Sequence, residues 1–389
     1  MKLGPFQFNR LEFAGSLADL GTLLPLLIGL IVINGLNPTS VLFMIGIFYI
    51  LSGTYYRIPV SVQPMKIIAA YAIAMGMSQV EISASTIIIG VILLVLGITK
   101  LIRLIGKYIP HIVVRGVQFG VGSILIYKGI SLVLKSDPDL VIQNVGPVSI
   151  GIILGGIGVI LTLILLKNKR FPAAIVIVFL GIMVGIFMGK PIDGEIQVGI
   201  YLPKLFPYGI PGKTDLLIGL TLLVIPQIPM TTSNAIISNC DLSREYFGKK
   251  AKKMSYTSLA NSMGLGNVVS FILGGMPMCH GSGGIAAHYR FGSRTAGSNL
   301  IIGSIFLGLG LFFGPSALHL LDLIPLSLLG VLLIFAGIQL CLMIKDVKDK
   351  INLALIFFMF LVALTINLSI SFILGIILAY TIKRFKLKI

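Results

Sequence analysis

Apolar runs such as IIIGVILLVLGI (87–98) and ALIFFMFLVALTI (354–366) recur from one end of this 389-residue chain to the other. Counted with its apolar neighbours, each approaches the roughly 20 residues a helix needs to cross a ~30 Å hydrocarbon core. Only 11% of the residues are charged and the mean hydropathy is +1.04, whereas a soluble domain carries about 25% charged residues. The chain therefore reads as an all-α integral membrane protein, one membrane unit over residues 1–389 whose first partner is the lipid bilayer. Its first apolar segment begins after Arg10 and carries Glu12 and Asp19, so it does not read as a cleavable signal peptide. Cys240, Cys279 and Cys341 are odd in number and far apart, which gives neither a disulfide framework nor a metal-ligand pattern. No metal and no cofactor is expected.

Breaks of charge, proline and glycine divide the chain into about fourteen segments. They fall near 12–33, 39–56, 60–77, 83–104, 109–134, 147–166, 172–188, 215–237, 255–273, 276–289, 297–314, 324–344, 351–366 and 368–383. Lysine and arginine test that division. With a cytoplasmic N-terminus, 23 of the 30 fall in inside loops and four (Lys135, Lys190, Lys204, Lys213) in outside ones, while Lys66, Arg115 and Lys128 fall within segments. Such a bias follows the positive-inside rule and puts both termini in the cytoplasm. The formal net charge of +17 is then a topology signal, and no nucleic-acid partner is expected.

The two halves resemble each other. TLLPLL (22–27) corresponds to QIPMTT (227–232), SVQPMKIIAA (61–70) to GMPMCHGSGGIAA (275–287), and YIPHIVVRG (108–116) to LIPLSLLG (323–330). The paired prolines lie 204, 213 and 215 residues apart, so the order is preserved. Seven segments per half, 1–189 and 190–389, is an odd number, so the second half inserts upside down relative to the first. That is an inverted repeat, the architecture of many secondary transporters.

The third and tenth segments are short and interrupted. In PVSVQPMKIIAA (59–70) extended-favouring residues precede Pro64, which suits a first helical turn and biases Gln63 away from helix. In PMCHGSGGIAA (277–287), Gly281, Gly283 and Gly284 let backbone N–H groups approach a ligand without Cβ interference. Both read as half-helices starting near the membrane midplane, with their positive ends facing each other. Lys66 falls in the first turn of one of them, the least favourable place for a cation. Its presence makes sense if an anion sits between the two helix ends. The alternatives are snorkelling along its four methylenes or a structural ion pair with Asp19.

Other candidates carry open readings. Asp19, a carboxylate inside an apolar run, either binds a coupling cation or proton or holds Lys66. His280 is a proton relay or a metal ligand or, more in keeping with a lone histidine beside glycines, a hydrogen-bonded wall residue. Ser282 is a hydroxyl donor for an oxyanion or a helix N-cap. Gln227, Thr231, Thr232, Ser233 and Asn234 in QIPMTTSN are uncharged donors that either line the cavity or bind neighbouring helices. The basic run REYFGKKAKK (244–253) reads as a cytoplasmic loop held by lipid headgroups, and Arg290 and Arg294 as flanking the mouth of the site.

FAGSLADLGTLLPLL (13–27), PVSVQPMKIIAA (59–70) and PMCHGSGGIAAHYRFGSR (277–294) resemble the molybdate transporter family, a branch related to the SulP sulfate permeases. The resemblance spans the whole membrane unit. It implies a seven-plus-seven inverted repeat with a core and a gate domain, and a homodimer in many members. It implies that Gln63, Lys66, His280, Gly281, Ser282 and Gly283 surround the oxyanion, with Asp19 and Gln227 contributing from neighbouring helices. Ala18 stands where the family tends to have glycine, and the chain ends at Ile389 just after its last segment, so no STAS domain is expected.

The resulting expectation is a secondary transporter in the cell membrane for a tetrahedral oxyanion, molybdate first, with Asp19 and His280 as coupling candidates. The alternatives are a sulfate or other anion permease of the SulP type, or a nucleobase or aromatic-carboxylate permease of the same fold. A nucleobase site calls for carboxylates in segments eight and ten, where only Asp215 occurs, at an end. An enzyme is not expected: H-E-x-x-H, G-x-S-x-G and paired carboxylates are all missing from the apolar runs.

Overall fold

A computed structural model describes residues 2–3, 5–102, 108–135, 137–166, 172–191 and 196–385. Arg103, Lys107, Lys167, Lys169, Arg170, Lys386 and Lys388, which entered the charge bias, lie outside the described residues. The first half contains α1 (Arg10–Ser16), α2 (Leu20–Val32), α3 (Pro38–Tyr56), α4 (Lys66–Met75), α5 (Gln79–Ile98), α6 (His111–Leu134), α7 (Ile150–Leu165) and α8 (Ala173–Phe187). The second contains a long, irregular helical stretch, α9 (Lys213–Lys253), whose last turn from Gly248 is kinked, then α10 (Tyr256–Leu273), α11 (Ser282–Arg290), α12 (Gly297–Asp322), α13 (Leu326–Cys341), α14 (Lys350–Thr365) and α15 (Leu368–Phe385). Among the described residues six helices are long and apolar enough to span a membrane, or seven if α1 and α2, bent by 40° at their junction, form one span. Several of the remaining apolar helices are shorter, from 10 to 16 residues.

The boundaries follow local chemistry. Asn37 caps α3 by accepting from Ser40 N–H at 3.0 Å, with Pro38 at the first helical position, where a missing N–H costs nothing. Ser78 and Glu81 form a reciprocal capping box at α5. Gly76 and Gly274 end α4 and α10 in the left-handed conformation, at φ 63° and 68°. Pro110 and Pro325, one of the three proline pairs noted above, are the N-caps of α6 and α13.

Helices of the first half pack along helices of the second: α3 along α12, α6 along α13, and α5 along α10. In the α6–α13 pair, glycine faces glycine. A Cβ on Gly122 would lie 2.7 Å from Gly337 O, and one on Gly337 2.6 Å from Gly122 O. Gly129 and Gly330 repeat the arrangement a turn or two away, at 2.6 and 2.5 Å. Lipid-embedded helices gain little from hydrophobic segregation, so close backbone approach at small residues supplies the packing energy. Pro315 sits inside α12 and cannot donate to Leu311 O. That carbonyl instead accepts from Tyr201 N–H at 2.7 Å, on an extended strap that also bonds Phe312 O and Ser316.

Among the described residues the strands are three short antiparallel pairs: β1 (Lys2–Leu3) with β2 (Phe6–Gln7), β3 (Gln63–Pro64) with β6 (Met278–Cys279), and β4 (Asn144–Val145) with β5 (Val148–Ser149). The β3–β6 pair lies inside the molecule, where Gln63 registers with Cys279 and Pro64 with Met278. Pro64 thus belongs to a strand and not to the first turn of α4, because Met65 N–H bonds Pro277 O at 2.9 Å and delays the helix to Lys66.

Candidate functional site

Both interrupted segments run strand then helix, and pairing of their strands brings the starts of α4 and α11 together. Beside them lies a cavity of about 460 Å³. Lys66, Ser282 and Gly283 line it from the two helix starts, with Asn234, Ser233 and Ser238 from α9. Thr22 and Leu26 of α2 complete that wall. The opposite wall is α6 and α13, which contribute Arg115, Gln118, Gln339 and Leu340. The mouth is marked by His111, Asp241, Glu245 and Met343.

Electrostatics in the cavity are unbalanced. Among the described residues, Lys66 forms no ion pair within 4.0 Å and no hydrogen bond through its ammonium. Arg115 is already paired: its guanidinium meets Asp346 at 2.5 Å and donates to Gln118 Oε1 at 2.9 Å. The N–H groups of Ser282 and Gly283 at the start of α11 have no described backbone or side-chain acceptor. An unpaired ammonium, free N–H groups and a positive helix end together suit an anion.

The predicted residues divide into cavity wall and scaffold. Lys66, Ser282 and Gly283 are on the wall. Ser282 is the first residue of α11 rather than its cap, which is Gly281, and its hydroxyl donates to Asn234 Oδ1. Gln227 lies behind the wall, 1% exposed, where its Oε1 accepts from Ile67 N–H at 2.9 Å and Ile68 N–H at 3.3 Å. It caps α4 from a different helix, and Thr231 orients it by accepting from its Nε2 at 2.9 Å. Thr232 turns back to the carbonyls of Ile228 and Pro229.

Asp19 occupies the break between α1 and α2 and holds Gln63, whose Nε2 donates to Asp19 Oδ1 at 2.5 Å. It does not reach Lys66 within ion-pair distance. Asp19 Oδ2 and Gln63 Oε1 are both buried without a hydrogen-bond partner, which burial makes costly. His280 faces away from the cavity, its Nδ1 2.8 Å from Ser61 O and its Nε2 3.0 Å from Ser262 Oγ. Its ring lies against Phe48, with centroids 4.8 Å apart. Arg294 stacks on Tyr289 at 3.8 Å, and neither it nor Arg290 reaches the cavity.

The glycines differ in role. A Cβ on Gly283 would meet nothing within 4 Å, so this residue opens onto the cavity. On Gly281 it would lie 2.3 Å from Gln63 Oε1, and on Gly284 2.4 Å from Ser61 Cβ. Those two let the crossing segments touch. Arg115 and Gln118 were assigned no role from sequence, although an arginine inside an apolar run is a functional candidate by default.

Solved structures share this fold. The transmembrane domain of a cyanobacterium bicarbonate transporter, BicA, superimposes with a TM-score of 0.64 at 19% identity, covering 94% of this chain and 97% of that one. The murine anion transporter Slc26a9 in its inward-facing state gives 0.69 at 15% identity, over 99% and 70% of the two chains. The fold is thus that of a multi-pass membrane transporter of the kind BicA and Slc26a9 represent. Sequence narrows it further: a family model described as "Molybdate transporter of MFS superfamily" matches residues 11–125 and 219–340. Molybdate transporter 2 of Arabidopsis thaliana is 30% identical over 87% of this chain and 80% of its own length. Molybdate transporter 1 of the same plant is 29% identical over 95% and 87%. The chain belongs to the molybdate transporter family and is a membrane transporter, not an enzyme.

Proposed function

We propose that the protein is a secondary transporter of a tetrahedral oxyanion, molybdate above all, which binds in the cavity between the starts of α4 and α11. The observation that carries this reading is Lys66: an unpaired ammonium at a helix N-terminus, on a cavity wall it shares with Ser282 and Gly283. A cation there is stabilised by an anion and by little else. Gln63, Gly281, Gln227, Thr231 and His280 act as the frame that fixes the two helix ends, and Asn234 joins the wall. The molybdate transporters of Arabidopsis thaliana, which align along most of this chain, support molybdate over sulfate.

The topology is a seven-plus-seven inverted repeat, residues 1–189 and 190–389, supported by the α3–α12 and α5–α10 pairs, which exchange when the halves are swapped, and by Pro110 and Pro325 at matching caps. Charge bias puts both termini and the cavity mouth on the cytoplasmic side of the cell membrane, so this is an inward-open form. A homodimer is its assembly. Asp19 is the better coupling candidate, since both ring nitrogens of His280 are engaged in the wall.

Calorimetric titration of the purified protein with molybdate, with sulfate and uracil as controls, tests this reading. Lys66→Ala is expected to weaken molybdate binding at least 100-fold, about 2.7 kcal/mol, with unfolding unchanged, while Lys66→Arg retains part. Wild-type affinity in the alanine variant removes the central claim. Equal sulfate binding leaves an oxyanion carrier but retracts molybdate. Heat from uracil alone refutes the anion site.

A further inference from the structure

A second cavity, of about 470 Å³, lies outside the transport site, in a groove between α3 and α10. Its floor and sides are apolar: Met44, Phe48, Leu51, Leu265 and Val269. One end is different. There Tyr55, Ser255, Thr257 and Ser258 line it, and Lys253 Nζ lies 4.6 Å from the Tyr55 ring centroid. Lys249, Lys250 and Lys252 are exposed on the same short turn. That turn is pinned by buried Ala251 and Met254, and among the described residues none of its four lysines pairs with a carboxylate. Thr257 Oγ1 is without a hydrogen-bond partner.

We propose that this groove binds an anionic phospholipid, one acyl chain lying between α3 and α10 and the phosphate at the Lys249–Lys253 turn. From Met44 to Tyr56 a helix rises about 18 Å, close to the roughly 15 Å of one leaflet's hydrocarbon. The groove thus spans the depth over which one acyl chain lies. Four uncompensated lysines at its mouth select a negative headgroup. The occupant also touches the back of the transport site. Phe48 and Ser262 line the groove, and Ser262 Oγ bonds His280 Nε2, which holds the β3–β6 crossing through Ser61. Tyr56 extends that chain from Ser262 to Ser258 and the backbone of Lys253.

The test titrates the full chain in detergent with a phosphatidylglycerol and, separately, a phosphatidylcholine of the same acyl chains, while thermal unfolding is followed. Phosphatidylglycerol at about 100 times its dissociation constant is expected to raise the midpoint by roughly 3–5 °C, and phosphatidylcholine by less than about 1 °C. The shift is expected to vanish in the triple variant Lys250→Gln, Lys252→Gln, Lys253→Gln, and in Leu265→Trp, which fills the groove from a lipid-facing position. Equal shifts from both lipids, an undiminished shift in either variant, or the full shift from glycerol phosphate alone overturns the proposal.

Discussion

Gly283 and Gly284 are neighbours on α11, and their geometry dictates opposite responses to the same substitution. A Cβ at 284 falls 2.4 Å from Ser61 Cβ, 2.5 Å from Asp19 Oδ2 and 2.7 Å from Gln63 Nε2. Ordinary carbon contacts are ~3.5–4.0 Å, so three buried groups must each retreat by about 1 Å. Such overpacking costs about 1–3 kcal/mol, and here it also pries apart the Asp19–Gln63 contact. Gly283→Ala meets open space and removes a glycine from a helix, worth about 0.5–1 kcal/mol in favour of the variant. Its methyl, however, stands in the cavity beside the N–H groups proposed to meet the anion. Thermal unfolding and molybdate calorimetry on both variants separate the effects. Gly284→Ala is expected to unfold several degrees lower. Gly283→Ala is expected to unfold at or above the wild-type temperature and to bind molybdate about tenfold more weakly, near 1.4 kcal/mol. Wild-type affinity in Gly283→Ala would refute the placement of the anion at the start of α11, and wild-type stability in Gly284→Ala would refute the tight crossing.

Gln227→Glu keeps an oxygen on the N–H groups of Ile67 and Ile68 but adds a negative charge beside the proposed anion site. Calorimetry is expected to show at least a tenfold loss of molybdate affinity with little change in unfolding temperature. Asp19→Asn keeps an acceptor for Gln63 and removes the titratable group. In proteoliposomes it is expected to abolish any acceleration of uptake by a proton gradient while binding stays within threefold, and an unchanged gradient dependence assigns coupling elsewhere. Glu12, 1% exposed, accepts from the backbone of Arg294, Thr295 and Ser298 and from the Thr295 hydroxyl. Glu12→Gln turns one accepting oxygen into a donor facing donors, so unfolding should occur at lower denaturant by about 2–3 kcal/mol.

The sequence was most legible where composition forces geometry. Apolar runs, the charge bias and the broken third and tenth segments led directly to a membrane transporter with two short helices starting inside it. Lys66 stood out because lysine is rare in such places. What stayed hidden were contacts between residues far apart in the chain. Gln227 was read as a donor for substrate or as helix glue, and nothing local says that its oxygen caps a helix 160 positions away. Asp19 looked like a partner for Lys66 by charge alone, yet the strand pairing of Gln63 brings an amide to it first. Pro64 followed helix-start statistics until tertiary pairing extended the strand by two residues. Arg115 is an arginine inside an apolar run, but a helix face, unlike a broken helix end, leaves no local mark of the cavity it lines.

The two walls of the cavity are stitched internally but barely to each other. On one side Gln227 ties α9 to α4, and β3 ties to β6; on the other, paired glycines lock α6 to α13. Across the seam, the side-chain hydrogen bonds among the described residues are two: Gln118 to Met230 Sδ at 3.1 Å, and Ser369 to the carbonyl of Thr221. The rest is greasy contact such as that of α2 with α13. Such a joint resembles a plain bearing: sliding one block against the other would unzip no backbone ladder, and Lys66 would travel with its block.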